Sequence, residues 1–219
     1  MKKFLSLLLI GSSSLLVAQS TTDSKSWIGI KTKIPLAERL YTNIGIQHRS
    51  KSNFKELDKY FFETDLDYDL NDDFSLELGL RLEKNNDTNG NQQGLENKYR
   101  LHWDLNYKRD LGSIEFKSRV RYQINDHIES QGSKRQTLRL KNSVEININN
   151  WTYDPEFLIE PFITVGDPNL NGVRKWRYGV QTDIPFSKDH KLKFAYFYMT
   201  ATQFIERQHI LGLFYKFDL

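Results

Sequence analysis

The chain has 219 residues, with 31 Lys and Arg, 28 Asp and Glu, five His and no Cys. Charge this close to balance, without a basic tract carrying interleaved aromatics, excludes an ordinary nucleic-acid binder. The lack of Cys excludes a disulfide framework and a lipid-anchored lipoprotein. Aromatics reach 13% while the mean hydropathy is −0.62, the combination expected of strands that show one face to water and the other to lipid.

The chain opens with Lys2 and Lys3, an interrupted apolar stretch over Phe4–Ile10 and Leu15–Val17, and Ala18. This pattern predicts a secretory signal peptide over residues 1–18, too short and too broken for a spanning helix. Residues 19–219 then form a single domain. Removing Lys2 and Lys3 brings the charge closer still to balance.

Two segments near 27–34 and 39–49 begin a period-two alternation that runs to the end of the chain. From 60 to 70, Tyr60, Phe62, Thr64, Leu66, Tyr68 and Leu70 oppose Glu63, Asp65, Asp67 and Asp69. From 74 to 82, Phe74, Leu76, Leu78, Leu80 and Leu82 oppose Ser75, Glu77, Gly79 and Arg81. The stretch 97–108 sets Tyr99, Leu101, Trp103, Leu105 and Tyr107 against Lys98, Arg100, His102, Asp104 and Lys108. Further strands are predicted at 114–124, 137–148, 153–165, 174–184, 190–202 and 207–219.

The central apolar faces carry no Asp, Glu, Lys or Arg over about nine residues, the length a membrane-crossing strand needs. Tyr60, Tyr68, Tyr99, Tyr107 and Trp176 fall towards strand ends, as interfacial girdles do. Short connections (35–38, 71–73, 110–112, 149–152, 186–189) alternate with longer polar ones (50–58, 85–95, 126–136, 166–173). The fold expected is all-β, an antiparallel up-and-down transmembrane barrel of 10–12 strands in the outer membrane of a Gram-negative bacterium. The candidates number eleven where an even count is expected, with both chain ends at the periplasmic rim. Either 27–34 lies outside the barrel or one strand is missed. The rival is a secreted soluble barrel with the apolar face turned inward.

The last strand, "HILGLFYKFDL", sets His209, Leu211, Leu213, Tyr215, Phe217 and Leu219 on one face. Gly212, Tyr215 and Phe217 resemble the spaced ending of outer-membrane proteins that the barrel-assembly machinery reads. Ile210, where a polar residue is usual, and Leu219 after the last aromatic depart from it. With "SRVRYQI" (118–124) and "RKWRYGVQTDIPFSKDHKLKFAYFYMT" (174–200), this ending resembles the domain-of-unknown-function 2490 family of outer-membrane barrels. The resemblance covers most of the chain after residue 18. It implies fold and location and carries over no catalytic residue.

By parity Arg81, Lys98, Arg100, Lys108, Arg119, Arg121, Arg139, Lys141, Lys175 and Arg177 point inward, as do Glu77, Glu83, Asp104, Glu115, Glu145, Glu156, Glu160 and Asp183. A lumen so lined either guides anionic solutes or is filled by ion pairs, and the filled lumen is preferred. Size and inner-face arginines are similar to small monomeric porins for acidic oligosaccharides. Arg100, Arg119, Arg121 and Arg139 are expected to share one wall, relieved by Glu115 and Glu145 or by a bound anion.

A rival class is an outer-membrane lipid hydrolase using His48 and Ser50, with Asn53 as the nearby candidate to orient the imidazole. No enzymatic activity is expected. His102 faces the lumen beside carboxylates, while His127 and His190 fall at loops or turns. No histidine pair has metal-ligand spacing, so neither a metal nor another cofactor is expected. Gly90, Gly94, Gly132 and Gly172 read as loop tips, not a phosphate cradle. The expected partners are outer-membrane lipids, the assembly machinery and anionic solutes, with no nucleic acid.

Overall fold

All eleven alternating segments are strands: β1 Thr21–Ala37, β2 Leu40–Lys51, β3 Glu56–Asp69, β4 Phe74–Asp87, β5 Gly94–Asp110, β6 Ile114–His127, β7 Arg135–Ile146, β8 Pro155–Val165, β9 Gly172–Pro185, β10 His190–Ala201 and β11 Glu206–Asp218. The computed structural model describes residues 21–88, 93–128, 134–167, 169, 171–202 and 206–219. The signal peptide expected over 1–18, and Gly90 and Gly132, lie outside the described residues. The strands close into one barrel in which each neighbour in sequence is a neighbour in space.

An odd number of up-and-down strands leaves the first and last pointing the same way. Closure therefore runs through a parallel seam, Thr21↔Glu206 to Lys33↔Asp218 along β1 and β11, while β1 pairs antiparallel with β2. This corrects the expectation of an even count. Residues 27–34 belong to the wall, and Thr21 and Asp218 lie at opposite rims. The physical reason is that closure pairs the backbone groups of both edge strands, which an open edge would leave bare. Past the seam, Leu219 N donates to Lys33 O at 2.9 Å.

The longer connections come out shorter than expected, and one short connection comes out longer. The β2–β3 link shortens to 52–55, because the register shifts at Arg49/Ser50 and the chain turns through three left-handed residues, Ser52, Asn53 and Phe54. Such residues cost roughly 1–2 kcal/mol each. They are tied to the start of β1 by Asn53 N to Asp23 Oδ1 (2.9 Å) and Phe54 N to Ser24 O (3.2 Å). At the other rim the β7–β8 link widens to 147–154, held by Ile148 N to Asp154 Oδ1 (2.9 Å) and Trp151 Nε1 to Tyr153 O (3.0 Å).

Strands of 11 to 17 residues are long enough to cross a bilayer, which takes about 9–11. Their outward row is apolar and exposed: Ile30, Phe62, Leu66, Leu76, Leu78, Trp103, Leu105, Phe157, Ile159, Phe194 and Leu211. Their inward row is polar and buried: Asp65, Arg81, His102, Asp104, Arg121, Arg139 and Glu160. That is the inverse of a barrel built around an apolar centre, so the soluble rival does not describe this fold. Rings gather outside near the short-turn rim, where Phe74 packs on Tyr107 (4.9 Å between centroids) and His190 stacks on Tyr215 (5.9 Å). Towards the other rim Trp176, Tyr178 and Tyr198 form a second band.

One sector of the interior is apolar. Trp27, Leu158, Ala195, Phe197 and Ile210 form a buried cluster, with Met199 and Phe214 packed against it. It exists because β10 and β11 alternate between apolar and apolar: Phe194, Tyr196 and Leu211 outside, Ala195, Phe197 and Ile210 inside. Gly212 lies opposite Trp27 and Ala195. A Cβ there would stand 2.7 Å from the Phe214 ring.

Candidate functional site

Two ion-pair networks line the middle of the lumen. In the first, Asp104 on β5 faces Arg121 on β6 as its register partner. Arg121 donates to Asp104 from Nε (2.7 Å) and Nη2 (2.6 Å), and reaches Glu77 Oε1 at 3.0 Å. Beyond Glu77 lies His102, with no exposed surface, its Nε2 3.2 Å from Glu77 Oε1 and 3.3 Å from Asp65 Oδ1. Lys31 on β1 closes the row at Asp65 Oδ2, 3.1 Å.

Gly79 makes this row possible. It sits on β4 between its register partners Asp65 and His102. A Cβ there would collide with the imidazole and with the Asp65 carboxylate. The side chains of β3 and β5 meet across β4 only because β4 has none at that point.

The second network centres on Glu160, which is fully buried. It receives Arg119 Nη2 (3.0 Å), Arg139 Nε (3.0 Å) and Nη2 (2.8 Å), and Arg177. One carboxylate shared by three guanidiniums joins β6, β7, β8 and β9. Next to it Pro161 donates no N–H, and the β7–β8 register passes from Arg139↔Phe162 to Asn142↔Ile159.

Of the residues expected on one wall, Arg119, Arg121 and Arg139 come together, with Arg177 beside them. Arg100 lines the same cavity but pairs with a different carboxylate. It is the register partner of Arg81, donates to Asn125 Oδ1 (2.6 Å) and stands 3.9 Å from Glu83. The relieving carboxylates also differ from expectation. Glu115 holds Lys108 (2.7 Å) and Lys117 (2.6 Å), and Glu145 holds Lys117 (2.6 Å), near the short-turn rim. Four residues of strand separate Glu115 from Arg119, a rise of roughly 13 Å, too far for contact. Asp104, Glu77 and Glu160 take the role instead. Arg81 pairs with Glu63 at 2.5 Å.

In the terminal strand Gly212 faces inward, while Tyr215 and Phe217 stack outside with Phe186 and His190, and Tyr215 Oη lies 2.7 Å from His190 Nδ1. His48 is exposed on the outer wall and lines an apolar groove with Ile28, Ile46, Tyr60 and Phe62. Ser50, however, is buried, its Oγ 2.7 Å from Ser26 Oγ, and Asn53 bonds to the start of β1. The structure does not bring His48, Ser50 and Asn53 together.

Sequence reasoning missed Lys31, Arg49, Glu63 and Asp65 as members of the interior. Their parity marks them as inward; Arg49 lies between His48 and Ser50 in the sequence. Two clusters hold ligand-type atoms within 4.8 Å of one another: Glu63, Asp65 and His102, and Glu77, His102 and Asp104. Lys31, Arg81 and Arg121 already supply their counter-charge.

The fold and its interior define a closed, eleven-stranded β-barrel with an apolar outer wall and an ion-paired lumen. The chain belongs to the family described as protein of unknown function (DUF2490), whose model matches residues 24–209. No curated protein matches the chain.

Proposed function

We propose that the protein is an outer-membrane β-barrel, exported by a cleaved signal peptide, whose filled lumen makes it a structural or binding barrel and not an enzyme. The observation that carries this reading is the inversion of the wall: exposed Leu78 and Leu105 alternate with interior Glu77 and Asp104. Exposed apolar area of this extent is costly in water and favourable in hydrocarbon. The outward rows match lipid, and the terminal strand with Tyr215 and Phe217 suits the barrel-assembly machinery.

A second reading is a small porin for anionic solutes. It draws on the vestibule of about 470 Å³ inside the short-turn rim, where Lys117, Lys141, Lys191, Lys193 and Lys216 meet Glu145, Asp154, Glu156 and Asp183. The hydrolase alternative loses support from the engagement of Ser50 by Ser26.

The test is fractionation and gel mobility. The protein should sediment with outer membranes and migrate faster before boiling than after. Recovery from the periplasm without detergent would overturn the location.

A further inference from the structure

In the middle of the barrel, bordered by members of both ion-pair networks, the lumen holds a cavity of about 350 Å³. Nine basic side chains line it against three carboxylates, Glu63, Asp65 and Glu77. Asp104, Glu160, Glu83 and Glu156 reach some of those basic groups from behind, and positive charge remains in excess.

The excess is local. Arg49 has no carboxylate within ion-pair distance among the described residues; it donates to Gln47 Oε1 at 2.5 Å and lies over the Trp27 ring, 3.9 Å from its centroid. Arg81 covers Phe61 at 3.7 Å, and Arg49 stands 5.0 Å from the same ring. Arg177 approaches Trp27 from its own side at 5.7 Å. Arg100, the register partner of Arg81, completes the group. Buried donors point the same way. Trp27 Nε1, Arg81 Nη1 and Arg177 Nε lie out of solvent with no acceptor among the described residues, and Trp27 and Arg81 are each more than nine-tenths buried. Unsatisfied buried donors cost about 1–3 kcal/mol each, so several around one cavity call for an acceptor.

We propose that this cavity is a binding site for a small polyvalent oxyanion, held by the forks of Arg49 and Arg100 and by the free donors of Arg81, Arg177 and Trp27. Guanidinium edges match carboxylate and phosphate oxygens in pairs. The nearby ring faces of Trp27 and Phe61 are already covered by guanidinium, which leaves no platform for a flat aromatic ligand. The volume lies at the small end of ligand cavities. Asn106, Arg119 and Lys141 line both this cavity and a second one of about 600 Å³ towards the short-turn rim. The inference rests on the reading of the lumen as a binding compartment and is independent of which membrane holds the barrel.

The test uses the full folded barrel in detergent at low chloride. Citrate and inorganic phosphate are titrated by calorimetry and by tryptophan fluorescence, with choline as the cationic control. Saturable binding of citrate or phosphate and none of choline is expected. Arg49→Gln combined with Arg100→Gln should weaken it roughly tenfold or more, the loss of one charge-assisted contact being worth about that factor. Arg109→Gln, on the outer rim, should leave it unchanged. Should the double variant fail to fold, Trp27→Phe locates the site: the fluorescence response should vanish and the affinity read by heat should fall, because Nε1 is one of the donors. No saturable heat with either anion, or full affinity in the folded double variant, would overturn the proposal. Failure of the location reading would show in fractionation and leave these titrations standing.

Discussion

Arg121 grips Asp104 with two nitrogens, at 2.7 and 2.6 Å, and both side chains are buried in the middle of the barrel. The pair is set by register, since the two residues face each other across β5 and β6. A buried pair contributes modestly when intact, but removal of one partner costs up to about 3–5 kcal/mol, reduced here by what Glu77 still gives Arg121. Asp104→Asn should therefore lower the denaturant midpoint steeply. Glu115→Gln, which releases Lys108 and Lys117 near the rim, should shift it little. The two midpoints, measured by the gel shift of refolded protein in urea, check the ranking.

Gly79 is the aperture through which His102 meets Asp65. Gly79→Ala places a methyl group inside the contact distance of both, and overpacking of this kind costs roughly 1–3 kcal/mol. Because the closest clash is with the ring, His102→Ala should relieve part of the penalty of the added methyl, the contact with Asp65 remaining. A double-mutant cycle measures that coupling. Additivity of the two substitutions would mean that the imidazole does not cross β4.

The two faces of β4 make opposite predictions. Leu78 is exposed on the outer wall, and Glu77 joins Arg121 and His102 inside. Leu78→Arg should impair folding into bilayers by about 2–4 kcal/mol near the midplane. Glu77→Gln should cost less, about 1 kcal/mol, because Arg121 keeps Asp104. Refolding into lipid vesicles under urea reads both. The reverse order would mean that the outer wall does not contact lipid.

Much of the wall was legible in the sequence, because a two-residue period assigns each side chain to a face without knowledge of the register. Leu78 and Glu77, or Leu105 and Asp104, needed only parity. The seam was not legible. An even count is a regularity of barrels in general, and nothing in Trp27–Ile34 announces that it pairs parallel with β11. Ion-pair partners were legible only in part. Parity places Glu115 and Arg119 on one face, but strand rise separates them and register brings Asp104 and Glu160 into reach. The apolar sector around Trp27 and Phe197 was hidden for a different reason: where both faces of a strand are apolar, alternation carries no signal.

The last prediction concerns whether the lumen conducts. Arg119 and Arg121 together hold Glu160, Asp104 and Glu77. If they lined an open path, Arg119→Gln with Arg121→Gln would shift permeability towards cations, and salt would weaken the original anion preference by screening. In the arrangement found here both are bound to buried carboxylates, and Asp104 loses its guanidinium partners when they are replaced. Glu160 keeps Arg139 and Arg177, so the second network survives while the first does not. The expected outcome is a lower unfolding temperature, with no discrete conductance steps from the wild-type barrel in planar bilayers and no selective steps from the variant. Wild-type steps whose anion selectivity falls in the variant at unchanged stability would replace the filled lumen with an open one.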